Sequence, residues 1–204
     1  MQEPDFGIYH HSSRKQSEIL RDSVRDLFNK AFKQSGLSSS QNISVLDAGC
    51  GLGFLCDVVA SYFRNAVITG VDLFKDGSLK EINMPGAEKN MEILGISERV
   101  RFIAADLSKP LHSLGNYDMI VSNLVLHNLG KGRRSALKNL LDIMNPDSFF
   151  FYGDLYIGNV SAGRSSENDL PSEVKIISEI TLEFLPQYRL QILRKSSPSQ
   201  SYNK

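Results

Sequence analysis

Apolar positions along the 204-residue chain recur at two spacings, and the change from one to the other sets out the elements. From Ser13 to Gln34, Ile19, Leu20, Val24, Leu27, Phe28, Ala31 and Phe32 fall at helical spacing with Arg, Lys, Asp and Glu between them. This predicts an amphipathic helix. Gly36 and the run Ser38-Ser39-Ser40 mark its end and a loop. From residue 43 onward, short β-rich runs alternate with helical stretches. Strands are predicted at Ile43–Asp47, Val67–Asp72, Val100–Ala104, Tyr117–Ser122 and Phe149–Tyr156. Helices are predicted at Phe54–Phe63, Ala87–Leu94 and Arg133–Met144, with a weaker turn near Pro110–Leu114. Such alternation marks an α/β chain, a parallel sheet with crossover helices.

Two stretches depart from the alternation. Phe74–Gly86 is long, and Pro85-Gly86 is expected to interrupt the helix that would follow the second strand directly. After the fifth strand, Asn159–Asp169 reads as a polar loop, Ser172–Leu185 as a helix, Tyr188–Arg194 as a last strand and Ser196–Lys204 as a disordered tail. The expected architecture is a Rossmann-like, doubly wound, mostly parallel sheet in a three-layer α/β/α sandwich, with strands ordered 3-2-1-4-5 and a sixth added. Residues 1–42 form an N-terminal lid segment and helix, and 43–195 form the one domain. A seventh strand is not evident. The sheet edge this leaves open invites either a second copy, as in a homodimer, or a shortened terminal strand.

Composition narrows the partners. Lys plus Arg and Asp plus Glu each total 23, so the net charge is zero and the basic footprint of nucleic-acid binders is missing. A neutral small molecule is the expected substrate. No apolar run approaches the roughly 18 to 20 residues that span a bilayer, and Met1-Gln2-Glu3-Pro4-Asp5 lacks the layout of a secretory signal. A cytoplasmic location without membrane association is expected. Cys50 and Cys56 are the only cysteines, without a partnering histidine cluster, so they are read as free thiols and no metal site is expected.

The chemistry starts at Val45-Leu46-Asp47-Ala48-Gly49-Cys50-Gly51-Leu52-Gly53, an apolar strand, three alternating glycines and a helix start at Phe54. Glycines let the backbone turn tightly and approach a ligand, while the helix start offers unpaired N–H groups. Asp72 ends the second strand, where a carboxylate can accept from both hydroxyls of a ribose, and Asp106 follows the third. In a doubly wound sheet these strand ends line one crevice, so Asp47, Asp72 and Asp106 are expected to converge. A nicotinamide dinucleotide fits less well. Its third glycine belongs three residues after the second, not two, and Asp47 and Asp106 have no task beside a pyrophosphate.

The run VLDAGCGLG with its three acids resembles the class I S-adenosylmethionine-dependent methyltransferases, over roughly Ile43–Tyr156. The resemblance implies S-adenosyl-L-methionine as cofactor and 43–195 as the domain that binds it. Gly49, Cys50, Gly51 and Gly53 would approach the methionine part, and Asp47 would anchor that loop or the amino group. Asp72 would take the ribose hydroxyls, Leu73 one adenine face, Asp106 the adenine amino group, and Leu107 would cover the ring. The segment Tyr117–Leu129 would form the wall beside the reactive methyl, with Asn123 among the cofactor-binding residues. A form ending in histidine, here His127, is common in that family among enzymes acting on small molecules. The Asn-Pro-Pro-Tyr form of exocyclic-amine methylases is replaced by Ser122-Asn123-Leu124-Val125.

His127 is the candidate catalytic base, since imidazole titrates near neutral pH; alternatively it packs beside the strand end. Tyr9 and His10, with His11, precede a helix that in similar enzymes folds over the cofactor, and they are candidates to touch cofactor or substrate. Asp154 is a candidate acceptor ligand, with Tyr156 beside it, and Lys131, Arg133, Arg134 and Lys138 read as a solvated helix face. The implied function is methyl transfer to a small-molecule acceptor, releasing S-adenosylhomocysteine. Two alternatives stand beside it: an inactive cofactor-binding partner of another methyltransferase, and an RNA or protein methyltransferase.

Overall fold

The structure is a computed structural model that describes residues 2–75, 79, 82–156 and 170–197. Helix α1 (Arg14–Ser35) opens on a capping box: the Ser13 side chain accepts from the Gln16 N–H, and the Gln16 side chain accepts from the Ser13 N–H at 2.8 Å. Its apolar stripe, from Val24 through Phe28 to Phe32, is buried as the spacing predicts. Then follow β1 (Ser44–Ala48), α2 (Phe54–Tyr62), β2 (Val67–Asp72), α3 (Met84–Ile93), β3 (Val100–Ala104), β4 (Tyr117–Asn123), α4 (Arg133–Asp142), β5 (Met144–Leu155), β6 (Val174–Leu182) and β7 (Leu185–Lys195).

The strands form one sheet in the order β3-β2-β1-β4-β5-β7-β6. Neighbours from β3 to β5 are parallel, and β7 runs antiparallel to both β5 and β6. Alternate side chains point to opposite faces, which gives two cores. On one face Met119, Val121, Phe151 and Ile192 meet α1 and α2 through Phe28, Phe32, Val58 and Val59. On the other, Leu46, Ile120, Phe150 and Leu193 meet α4 through Ala136, Leu140 and Leu141. This is the expected three-layer Rossmann-like α/β sandwich. The β1–β4 reversal opens a crevice at the strands' carboxyl ends.

Four expectations need correction. Ser172–Leu185 is not a helix: Val174–Leu182 is the strand β6, joined to β7 by a tight turn at Glu183-Phe184. Burial alternates strictly along β6, but the polar Ser178 takes a half-buried place and the apolar Ile177 an exposed one, leaving Ile176, Ile177 and Ile180 at spacings a helix also allows. A seventh strand is therefore present, which removes the premise for expecting a homodimer. Pro85 does not interrupt a helix. It sits in the first turn of α3, where its missing N–H costs nothing, and Asn83 caps that helix. The fifth strand starts earlier than expected, at Met144, and the helix before it stops at Asp142. The polar loop expected at Asn159–Asp169, and the tail from residue 198 onward, lie outside the described residues. No helix among the described residues is long and apolar enough to cross a membrane.

Candidate functional site

The turn after β1 is tied to its neighbour strand before any ligand is considered. The Gly49 and Cys50 N–H groups both donate to the Val71 carbonyl, at 2.7 and 3.1 Å. The Gly51 N–H donates to Asp72 Oδ2 at 3.1 Å, and the other Asp72 oxygen accepts the Phe74 N–H at 2.8 Å. The glycines divide the work. At Gly49 (φ 77) a Cβ would stand 2.3 Å from Val125 Cγ2, so a side chain would collide with the segment after β4. Gly51 lines the crevice. Gly53 (φ 87) does not: it caps α2 in the left-handed region, and a Cβ there would meet Met91 Cε at 2.7 Å. It packs beneath the loop, outside the cavity lining.

Above this turn lies a cavity of about 770 Å³. It brings together Asp47, Gly49, Cys50, Gly51, Asp72, Leu73, Asp106, Leu107 and Asn123 from the expected cofactor set. Tyr9, His10, His11 and His127 line it as well. Asp47 is almost wholly buried and accepts the Cys56 thiol at 3.2 Å. Burial raises its carboxyl to about 7; the Cys56 hydrogen bond opposes the shift and the Asp72 charge adds to it. Burial also pushes the Cys50 and Cys56 thiols up, so both are unreactive. Asp106 is held by the Ser108 hydroxyl and N–H, at 2.7 and 2.8 Å, which lower its carboxyl and keep it ionised. Leu73, two-fifths exposed, and the buried Leu107 supply apolar surface near this acid.

The far wall is the segment after β4. His127 donates its backbone N–H to Asp154 Oδ2 at 3.0 Å, and its Nδ1 is bonded to Asp154 Oδ1. Asp154 has no exposed surface and does not line the cavity. The expectation that it touches the acceptor is corrected: it stands behind His127. The Tyr152 hydroxyl donates to Asp154 Oδ2 at 2.8 Å, and Arg133 Nη2 donates to the Tyr152 oxygen at 3.0 Å. Burial, with the Asp154 charge, pushes the Tyr152 hydroxyl upward and keeps it a donor. Arg133 therefore faces inward rather than lying on a solvated face, while Lys138 pairs with Asp142 along the helix at 2.5 Å. Tyr156 does not line the cavity, and its buried hydroxyl finds no partner among the described residues.

The N-terminal segment forms the roof. Arg21 donates to the carbonyls of Gly7 and Phe6 and stacks over the Tyr9 ring, while Ser17 accepts the Tyr9 N–H at 3.1 Å. Asn90 of α3 bonds both backbone groups of Asp5 and also donates to the Leu52 carbonyl of the glycine loop. Tyr9 completes an isolated antiparallel bridge to Leu79. Asn90, Arg21, Tyr152 and Tyr188 were not among the residues expected to serve the site. Each acts through a contact distant in sequence, and only the polar residues on the helices' apolar faces, Arg21 and Asn90, left a mark in the pattern. Among the described residues no lysine or arginine lines the cavity, and no group of three or more His, Cys, Asp or Glu is arranged to hold a metal.

Parts of this chain are similar to known proteins. The release factor glutamine methyltransferase of Chlorobaculum tepidum is 35% identical over 92 residues, 44% of this chain and 29% of that protein. The malonyl-[acyl-carrier protein] O-methyltransferase of Halalkalibacterium halodurans is 33% identical over 126 residues, 55% of this chain and 43% of that protein. The chain thus spans less than half the length of either curated relative. The N-methyltransferase NodS from Bradyrhizobium japonicum WM9 shares the fold with a TM-score of 0.61 at 17% identity, over 84% of this chain and 96% of that one. A family profile described as methyltransferase domain matches residues 39–187, and by that match across most of its length the chain belongs to the methyltransferase domain family.

Proposed function

We propose that this chain transfers a methyl group from S-adenosylmethionine to a small-molecule acceptor, releasing S-adenosylhomocysteine. The observation that carries the reading is the contact between the Gly51 N–H and Asp72 at the floor of the large cavity. It sets a backbone cradle and a ribose-binding carboxylate side by side. The residues present fit the group. A cavity of about 770 Å³ lies within the range of pockets that enclose ligands of this size, and Gly51 leaves its floor open where a side chain would intrude. Asp72 would hold the ribose hydroxyls, Leu73 and Leu107 the adenine faces, and Asp106 the adenine amino group. Asp47 would face the amino-acid end. Bound there, the cofactor supplies an electrophilic methyl on a sulfonium, whose carbon–sulfur bond breaks as the acceptor bond forms, with sulfur keeping the electron pair.

What the protein itself adds is alignment, dryness and a proton acceptor. The roof of Phe6, Tyr9 and His10 limits water above the crevice. Asp154 accepts a hydrogen bond from the Nδ1–H of His127, which sets the ring tautomer and leaves Nε2 as the base. The absence of basic side chains from the described lining favours a small neutral acceptor over RNA. Incubation with methyl-tritiated cofactor and separated metabolite, RNA and protein fractions of a cell extract tests the acceptor class. Label is expected in the metabolite fraction; label confined to RNA or protein would overturn it.

A further inference from the structure

Asn123 ends β4 on the cavity wall with one end of its amide already committed. Its Oδ1 accepts the Tyr188 hydroxyl at 2.6 Å. Tyr188, on β7, is fully buried, and burial pushes its hydroxyl well above the ordinary range, so it remains a donor. At 2.6 Å the contact is short for N–H···O and ordinary for O–H···O, which puts the oxygen end of the amide at the hydroxyl. The approach depends on Gly153 of β5, where a Cβ would stand 2.1 Å from Tyr188 Oη and 3.2 Å from Asn123 Oδ1. Nδ2 is therefore the end left open, an N–H donor on the same wall as His127, without an acceptor among the described residues.

We propose that the acceptor is an oxygen nucleophile, a neutral hydroxyl compound, and that Tyr188 is a positioning residue that holds Asn123 Nδ2 as the donor recognising its oxygen. This rests on the methyl-transfer reading of the same cavity. A hydroxyl oxygen has two lone pairs, one to accept from Asn123 while the other attacks the methyl carbon. Its proton passes to His127 Nε2 and then to solvent, so the oxygen–carbon bond replaces the sulfur–carbon bond with charge balanced. A neutral amine has a single lone pair, and an N–H donor facing it competes for the electrons that must form the new bond. A protonated amine has none to offer. The surrounding surface suits an apolar hydroxyl compound, with Leu20, Leu124, Leu155 and Leu185 on the wall.

The test uses the full chain loaded with S-adenosylhomocysteine and matched fragments on one skeleton: 1-naphthol with 1-naphthylamine, and catechol with o-phenylenediamine. Affinity is read by NMR titration at the ring proton between the two nitrogens of His127. The hydroxyl member of each pair is expected to bind at least tenfold more tightly than its amine. Tyr188→Phe, which removes one oxygen from a buried site, should reduce that ratio to within about threefold while leaving S-adenosylhomocysteine affinity unchanged. Asn123→Asp keeps an oxygen for Tyr188 but turns the open end into an acceptor, and should reverse the preference. Equal affinities in the parent protein, failure of all four fragments to perturb His127, or an unchanged ratio in both variants would overturn the proposal. Loss of S-adenosylhomocysteine binding in either variant would instead assign Asn123 to the cofactor. If the parent protein does not bind S-adenosylhomocysteine, the methyl-transfer reading fails as well, and the two failures are told apart at that step.

Discussion

The carboxylate of Asp154 accepts two hydrogen bonds from His127, one from its backbone N–H and one from its ring Nδ1. Ring position and ring tautomer are thereby set by one buried group. If Nε2 is the base, His127→Ala should lower kcat by about 10²- to 10⁴-fold on a hydroxyl acceptor. Asp154→Asn, which keeps the shape but disturbs the tautomer, should cost at least about 10²-fold. Steady-state rates at saturating cofactor check both; an unchanged His127→Ala rate would mean that alignment alone suffices.

Asp47 links pH to stability. Its folded carboxyl stands at about 7, far above the roughly 3.9 of an unfolded aspartate. Between those values the folded state holds the proton that the unfolded state has lost. This group's contribution is therefore full below about pH 4 and declines as pH rises to about 7. Thermal melts of the ligand-free protein across pH 4 to 8 should show Asp47→Asn less destabilised by rising pH than the parent. Parallel curves would contradict the burial argument.

The glycines make separable predictions. Gly53→Ala places a methyl against Met91 in a left-handed backbone and should destabilise the fold by about 1–3 kcal/mol. Because Gly53 does not line the cavity, the folded fraction should keep its cofactor affinity. Denaturant unfolding and a binding titration on one preparation separate the two effects.

The roof depends on Asn90. Asn90→Ala removes its bonds to Asp5 and Leu52 from a buried position and should cost about 1–3 kcal/mol. Amide exchange at residues 5–9 should quicken by at least tenfold relative to the sheet. Unchanged protection there would mean that Arg21 alone secures the segment.

Much of this site is local and so was legible in the chain. The glycine turn announces itself because positive-φ positions admit few residues, and Asp72 and Asp106 follow from strand ends that β-rich runs mark clearly. Asp154 was singled out but misplaced: its partner is 27 residues away, and only the pairing of β4 with β5 brings them together. Tyr188 reads as one more apolar strand residue, because its hydroxyl acquires a role only opposite Gly153 and Asn123. The edge strand β6 reads as a helix in the sequence because Ile177 faces solvent and Ser178 faces inward, which hides the period of two that its burial keeps. Tertiary pairing, not local preference, determines each of these.

Calorimetric titration of S-adenosylhomocysteine into the parent chain, Asp72→Asn and Asp106→Asn tests the central claim most directly. Hydrogen bonds to a charged group contribute about 1.5–3 kcal/mol, so each variant should bind roughly 10- to 100-fold more weakly with its fold intact. Undiminished affinity in Asp72→Asn, or no binding by the parent chain, would contradict the assignment of this crevice to the cofactor.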